Sequence, residues 1–117
     1  MSNNSQIAFA PLGKTVVIAA NPVAPAGLQV PVRTQITAQA VGQYRFVNNG
    51  SALVHIGAGP TAALATAAAV AATAGTPGAG IPLVAGAVEI LRFSVNAYFS
   101  AVTTVAGTVY VTPGEGL

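Results

Sequence analysis

Ionised side chains are almost missing from this chain. Only 5% of its 117 residues are charged, against about 25% in ordinary globular chains. Lys14, Arg33, Arg45, Arg92, Glu89 and Glu115 are all of them, and aspartate is absent. A soluble monomer resists association through a charged surface of mixed sign, which so short a roster cannot supply. Either neighbours cover much of the surface, as in an oligomer or a larger assembly, or Thr, Ser, Asn, Gln and Gly coat it. The first reading is the one expected, because soluble monomers rarely leave large apolar patches uncovered.

Other shortages exclude whole classes of function. Cysteine is absent, which removes disulfide frameworks and thiolate metal sites. The net charge of +2 comes from four cations against two anions. Those cations are scattered singly, whereas nucleic-acid binders cluster them into a patch, so no nucleic-acid partner is expected. The N-terminal Met1-Ser-Asn-Asn-Ser-Gln6 is polar and does not read as a signal peptide. Residues 56–88 carry no charge, yet they are mostly Ala, Gly and Thr and are interrupted by Pro60, Pro77 and Pro82. A spanning helix needs about 20 predominantly apolar residues, so no membrane partner is expected either.

Catalytic chemistry has little to work with. A Ser-His-acid arrangement needs a base oriented by a third group, and His55 is the single histidine, with Glu89 and Glu115 the only acids. Paired-carboxylate hydrolysis needs two carboxyl groups in one cleft, and these two lie in a strand and in the terminal tail. Metal sites usually need three or four converging ligands. Gly75-Thr-Pro-Gly-Ala-Gly80 lacks the Gly-Lys-Ser/Thr ending of a phosphate loop and reads as a surface loop. No enzyme, catalytic residue, metal or cofactor is expected; His55 reads as a packed structural histidine, and Glu89 as an ion-pair partner of Arg45, Arg92 or a neighbouring chain.

What the chain does contain is 53% hydrophobic residues in short β-branched and aromatic runs. One domain is expected over 14–117, preceded by a flexible arm at 1–13. Strands are expected at 15–20, within 28–38, at 87–93, and as a final pair at 97–105 and 108–112 turning at Ala106-Gly107. Asn49-Gly50 between Gln43–Val47 and Ala52–Ile56 predicts a type I′ hairpin, with Phe46 facing Leu53 and Tyr44 facing His55. Its other face would carry Arg45, Val47, Ala52, Val54 and Ile56, too apolar for water, so both faces should be covered. Residues 57–82 read as an Ala/Gly/Pro-rich excursion; Thr61 as N-cap and Gly75 as C′ would bound a helix there. The tail 112–117 is not expected to continue a central strand. Short strands with Gly- and Pro-rich connections predict an all-β sandwich or small barrel.

The segments Ile81-Pro-Leu-Val-Ala-Gly-Ala-Val-Glu-Ile-Leu91, Ala97-Tyr-Phe-Ser-Ala101 and Gly107-Thr-Val-Tyr-Val-Thr-Pro-Gly-Glu-Gly116, with Arg45-Phe-Val-Asn-Asn-Gly-Ser-Ala-Leu-Val-His-Ile-Gly57 upstream, resemble small head-associated virion proteins of tailed bacteriophages. The likeness covers roughly residues 43–117; the Ala-rich stretch 61–80 is an insertion relative to that pattern. It implies a capsid cement or decoration protein on the capsid exterior, jelly-roll-like or β-tulip-like, bound to the major capsid protein and to itself, with a trimer favoured. Interface candidates are then Arg33, Arg45, Val47, Val54, Ile56, Glu89 and Arg92. A phage tail, fibre or host-surface-binding module is the alternative, and a membrane-associated β protein the second.

Overall fold

The computed structural model describes residues 9–31 and 41–115, so Arg33, the remainder of the strand region expected within 28–38, and the first residues of the arm lie outside the described residues. The chain is all-β: among the described residues, two antiparallel sheets pack as a sandwich, with one short helix. The strands are β1 (Ala10–Pro11), β2 (Val16–Ala20), β3 (Leu28–Gln29), β4 (Val41–Asn48), β5 (Val54–Gly59), β6 (Ile81–Leu83), β7 (Val88–Ser94), β8 (Tyr98–Thr103) and β9 (Gly107–Glu115). The helix α1 (Ala62–Ala68) lies between β5 and β6.

The pairing follows one rule. β2 pairs with β9, β3 with β8, β4 with β7 and β5 with β6. The chain is thus an antiparallel ribbon folded back on itself about the β5–β6 connection. Two further pairings, β4 with β9 and β5 with β8, roll that ribbon into two layers. Sheet A runs β1/β2-β9-β4-β7 and sheet B runs β3-β8-β5-β6. This is the order of a jelly roll.

That order corrects two expected hairpins. β4 and β5 lie in different sheets, as do β8 and β9. Phe46 therefore does not face Leu53, nor does Tyr44 face His55; Phe46 lies opposite Val111 and Glu89, and Tyr44 opposite Pro113 and Leu91. Both sides of β4 are already occupied, by β7 and β9, so β5 has no edge to join. The turn chemistry agrees. A type I′ turn needs positive φ at both central residues, and among the described residues only Asn96, Gly75 and Gly86 have it. Asn48 instead organises the corner. Its buried side chain accepts from the Gly50 N–H at 2.9 Å and donates to the carbonyls of Ala52 (3.0 Å) and Leu83 (2.9 Å). This is an Asx-type turn that sends the chain across to sheet B.

The tail also departs from expectation. β9 carries Pro113 and Gly114 between β1/β2 and β4, in the middle of sheet A. Proline lacks the N–H that a ladder needs. Asn49 N–H donates to the Thr108 carbonyl of β9, so even-numbered residues of β9 turn their backbone toward β4 and odd-numbered ones toward β1 and β2. Pro113 thus faces the interruption between β1 and β2, where the Leu12 N–H reaches its carbonyl at 2.8 Å. Gly13 allows that approach, because a Cβ there would sit 2.7 Å from the Pro113 ring. Residues 10–12 are accordingly held on β9 rather than forming part of an arm.

Alternation places Ile18, Ala20, Tyr44, Phe46, Val109 and Val111 of sheet A against Val54, Ile56, Phe99 and Ala101 of sheet B, all buried. At the centre Phe99 meets Tyr44, Phe93 and Phe46 edge-on, with centroids 4.9, 5.1 and 5.2 Å away. The Tyr44 hydroxyl donates to the Ser94 carbonyl (2.9 Å) and accepts from the Ala97 N–H (3.3 Å). Burial pushes this phenol above its ordinary value, and backbone hydrogen bonds to Ala97 and Asn96 oppose the shift. A group whose folded-state pKa is raised contributes fully below its unfolded value, about 10 for tyrosine, and that contribution is lost as pH rises through the folded value. Stability should therefore fall in the alkaline range above about pH 10. Tyr44→Phe should lack the part of this loss due to Tyr44, while costing about 1 kcal/mol at neutral pH for the missing hydrogen bonds. Urea midpoints of both chains across that range test the difference.

Candidate interaction surface

The two outer faces of the sandwich are treated differently. Helix α1 begins at Thr61, whose side chain accepts from the Leu64 N–H at 3.2 Å as an N-cap does. It lies on the outer face of β5 and β8. What seats it there is the lack of side chains beneath. A Cβ on Gly57 would stand 2.3 Å from the Ala69 backbone nitrogen and 2.4 Å from the Ala65 carbonyl oxygen. Ala65 and Ala69 are buried in that contact. Thr66 ties the layer to the β2–β3 loop: its hydroxyl donates to the Pro25 carbonyl (2.9 Å) and accepts from the Gly27 N–H (3.1 Å), and Ser100 donates to the same Pro25 carbonyl (2.7 Å). The helix stops at Ala68. Gly75, at φ 78°, serves the Thr73–Thr76 turn rather than the helix end. The Ala-rich excursion is thus the chain's own cover for sheet B.

The outer face of sheet A has no such cover within the described residues. Cross-strand register lines up Val17, Tyr110, Val47 and Val88 in one row across all the main strands of the sheet. The next row holds Thr112, Arg45 and Ile90, and the one beyond it Gly114, Gln43 and Arg92. Val17, Val88 and Ile90 are each about half exposed, at 47%, 48% and 47%. The Thr15 and Thr112 hydroxyls bond to each other at 2.7 Å. The result is a surface apolar along its middle, with Arg45 half-buried and Arg92 exposed beside it.

Three of the interface candidates, Arg45, Val47 and Arg92, meet on this face. Val54 and Ile56 do not: both point inward and are 1% exposed. They were placed beside Val47 by the expected hairpin, and that grouping fails with the hairpin. Glu89 shares a side of β7 with Leu91 and Phe93, opposite Phe46. It is therefore turned away from Arg45 and Arg92, which removes the two partners expected within the chain. Val17, Tyr110, Val88 and Ile90 were not singled out from sequence. Strands whose residues of both parities are apolar give no inside or outside until register is known.

On the far side of the molecule a groove of about 260 Å³ is lined by Pro22, Leu53, His55, Ala71 and Val102, among others. Among the described residues no carboxylate lines it, so none of them orients His55 as a base. Among the described residues no group of three or more metal-ligating side chains converges, and no helix is long and apolar enough to cross a membrane. Compared with protein-family models, curated proteins and solved structures, the chain matches none.

Proposed function

We propose that the chain is a structural virion protein that binds and stabilises the assembled capsid of a tailed phage, as a cement or decoration protein, through the outer face of sheet A. The observation that carries this reading is the apolar row Val17–Tyr110–Val47–Val88, which no described residue covers, in a molecule whose other face is roofed by its own helix. A chain with so few charges gains little from keeping such a face in water. Occlusion would be driven by apolar burial, at about 25 cal/mol per Å², less the costs of association and of ordering side chains. Arg45 and Arg92 would orient the contact toward carbonyl or carboxylate groups of the shell.

The mechanism is linkage. A protein that binds the closed shell and not its dissociated subunits shifts the equilibrium toward the shell, by about 2.7 kcal/mol per site when free protein is at 100 times its Kd. No catalytic step is required. Incubation with purified expanded heads of the parent phage, followed by sedimentation, should bring the chain down saturably and raise the temperature at which the heads open. A chain that stays in the supernatant at every concentration, leaving head stability unchanged, contradicts the proposal.

A further inference from the structure

The four edges of the two sheets are unequal. β3 has two residues, and β6 has three with Pro82 in its centre. The β1/β2 edge is broken between Pro11 and Val16. Short strands, prolines and interruptions are the means by which sheets avoid pairing with other chains. β7 uses none of them. It runs unbroken for seven residues, Val-Glu-Ile-Leu-Arg-Phe-Ser, without proline or glycine, and among the described residues it pairs on one side only, with β4.

The free side can be assigned residue by residue. The Asn48 N–H donates to the Ala87 carbonyl. In a regular antiparallel ladder the residues that face one neighbour alternate with those that face away. Odd-numbered residues of β7 therefore bond to β4, and Val88, Ile90 and Arg92 turn their N–H and C=O groups outward. Ser94 would continue the series, but its carbonyl already accepts from the Tyr44 hydroxyl.

We infer that β7 pairs with β7 of a second copy of this chain, antiparallel and about a two-fold axis through Ile90. That register sets Val88 against Arg92 of the second copy and Ile90 against Ile90, so every free backbone group of these three residues finds a partner. A register shifted to centre on Leu91 would call on the engaged Ser94 carbonyl and bring the two Arg92 side chains closer together. Pairing with itself is also what the other edges dictate. None of them offers a comparable strand, so a head-to-tail chain of molecules cannot form, whereas an isologous contact closes after two copies. The outer faces of two sheets A then join into one continuous surface. Glu89, exposed on the inward side of β7, is the kind of charge that weakens edge pairing, and it sets this association at the transient end. The inference does not depend on the capsid reading, since it concerns the free chain.

The test is sedimentation velocity of the full chain over a wide concentration range, with two variants. The native chain should move from monomer to dimer as concentration rises. Ile90→Lys, at an exposed position, should keep its fold by circular dichroism and weaken dimerisation at least tenfold. Ile90→Cys in this cysteine-free chain should give a disulfide-linked dimer on mild oxidation, because the Cα atoms of a hydrogen-bonded antiparallel pair lie about 5.5 Å apart, within disulfide reach, whereas Arg92→Cys should not. A chain that remains monomeric throughout overturns the inference. So does a dimer or trimer that Ile90→Lys leaves intact, or an Arg92→Cys chain that crosslinks as readily as Ile90→Cys.

Discussion

Replacing Phe99 with alanine should cost about 3–5 kcal/mol, the largest loss expected from any single side chain here. Phe99 is fully buried and touches three rings edge-on, Tyr44, Phe46 and Phe93, which come from both strands of the β4–β7 pair in the opposite sheet. It therefore holds the two sheets together at one point. Its removal forfeits apolar burial, the preferred edge-to-face geometry, worth about 0.5–1.5 kcal/mol per pair, and the packing around the cavity left behind. β4 cannot settle into that space without breaking its ladder with β9. Against a total stability of about 5–15 kcal/mol, this is a large share. Denaturant midpoints for Phe99→Ala and Phe99→Leu should fall in that order of severity. A loss below about 1 kcal/mol for alanine would mean that the sheets are held elsewhere.

Replacing Val47 with glutamate should do the reverse, sparing the fold and abolishing binding. Val47 lies between Tyr110 and Val88 in the middle of the outer row and is half-buried in the free chain. In water the carboxylate can reach solvent, so the expected stability loss is about 1 kcal/mol, on the scale of strand preferences. Under a neighbouring protein the same carboxylate would be desolvated without a designed partner, a cost of about 3–5 kcal/mol. Each 1.4 kcal/mol is a factor of about ten in affinity, so binding to expanded heads should weaken by about 100-fold or more. Leu64→Glu, on the exposed side of α1, serves as the comparison and should bind like the native chain. Equal loss in both variants would point to general repulsion from the shell rather than to this face.

The sequence was informative about elements and much less so about layers. β-branched and aromatic runs located β2, β4, β7 and β8 to within a residue or two; residues 57–82 read as an excursion, and Thr61 marked only where a helix could begin in it. The aromatic residues Tyr44, Phe46 and Phe99 reached the core as expected. What failed were the inferences that depend on which strand is whose neighbour. Asn49-Gly50 has the composition of a tight hairpin, but that chemistry is permissive and not compulsory. The competing term is Asn48, whose buried amide serves carbonyls 4 and 35 residues away. No local pattern discloses a partner as distant as Leu83. The same cause moved Val54 and Ile56 from the candidate surface to the core, while Val47 stayed on the surface. Pro113 misled for a related reason: the gap that accommodates it lies in β1 and β2, about a hundred residues earlier in the chain. The cover over sheet B was equally hidden, since its fit depends on the bare backbone of Gly57 under Ala65 and Ala69.

The central claim is that the outer face of sheet A is the surface the chain occludes in its particle. Hydroxyl-radical footprinting of the chain, free and bound to heads, addresses it residue by residue. Val17, Val88 and Ile90 should lose reactivity on binding, while Leu64 and Val70 on the helix side keep theirs. Protection of Leu64 and Val70 with Val17 and Val88 still reactive would place the contact on the opposite face and contradict the claim.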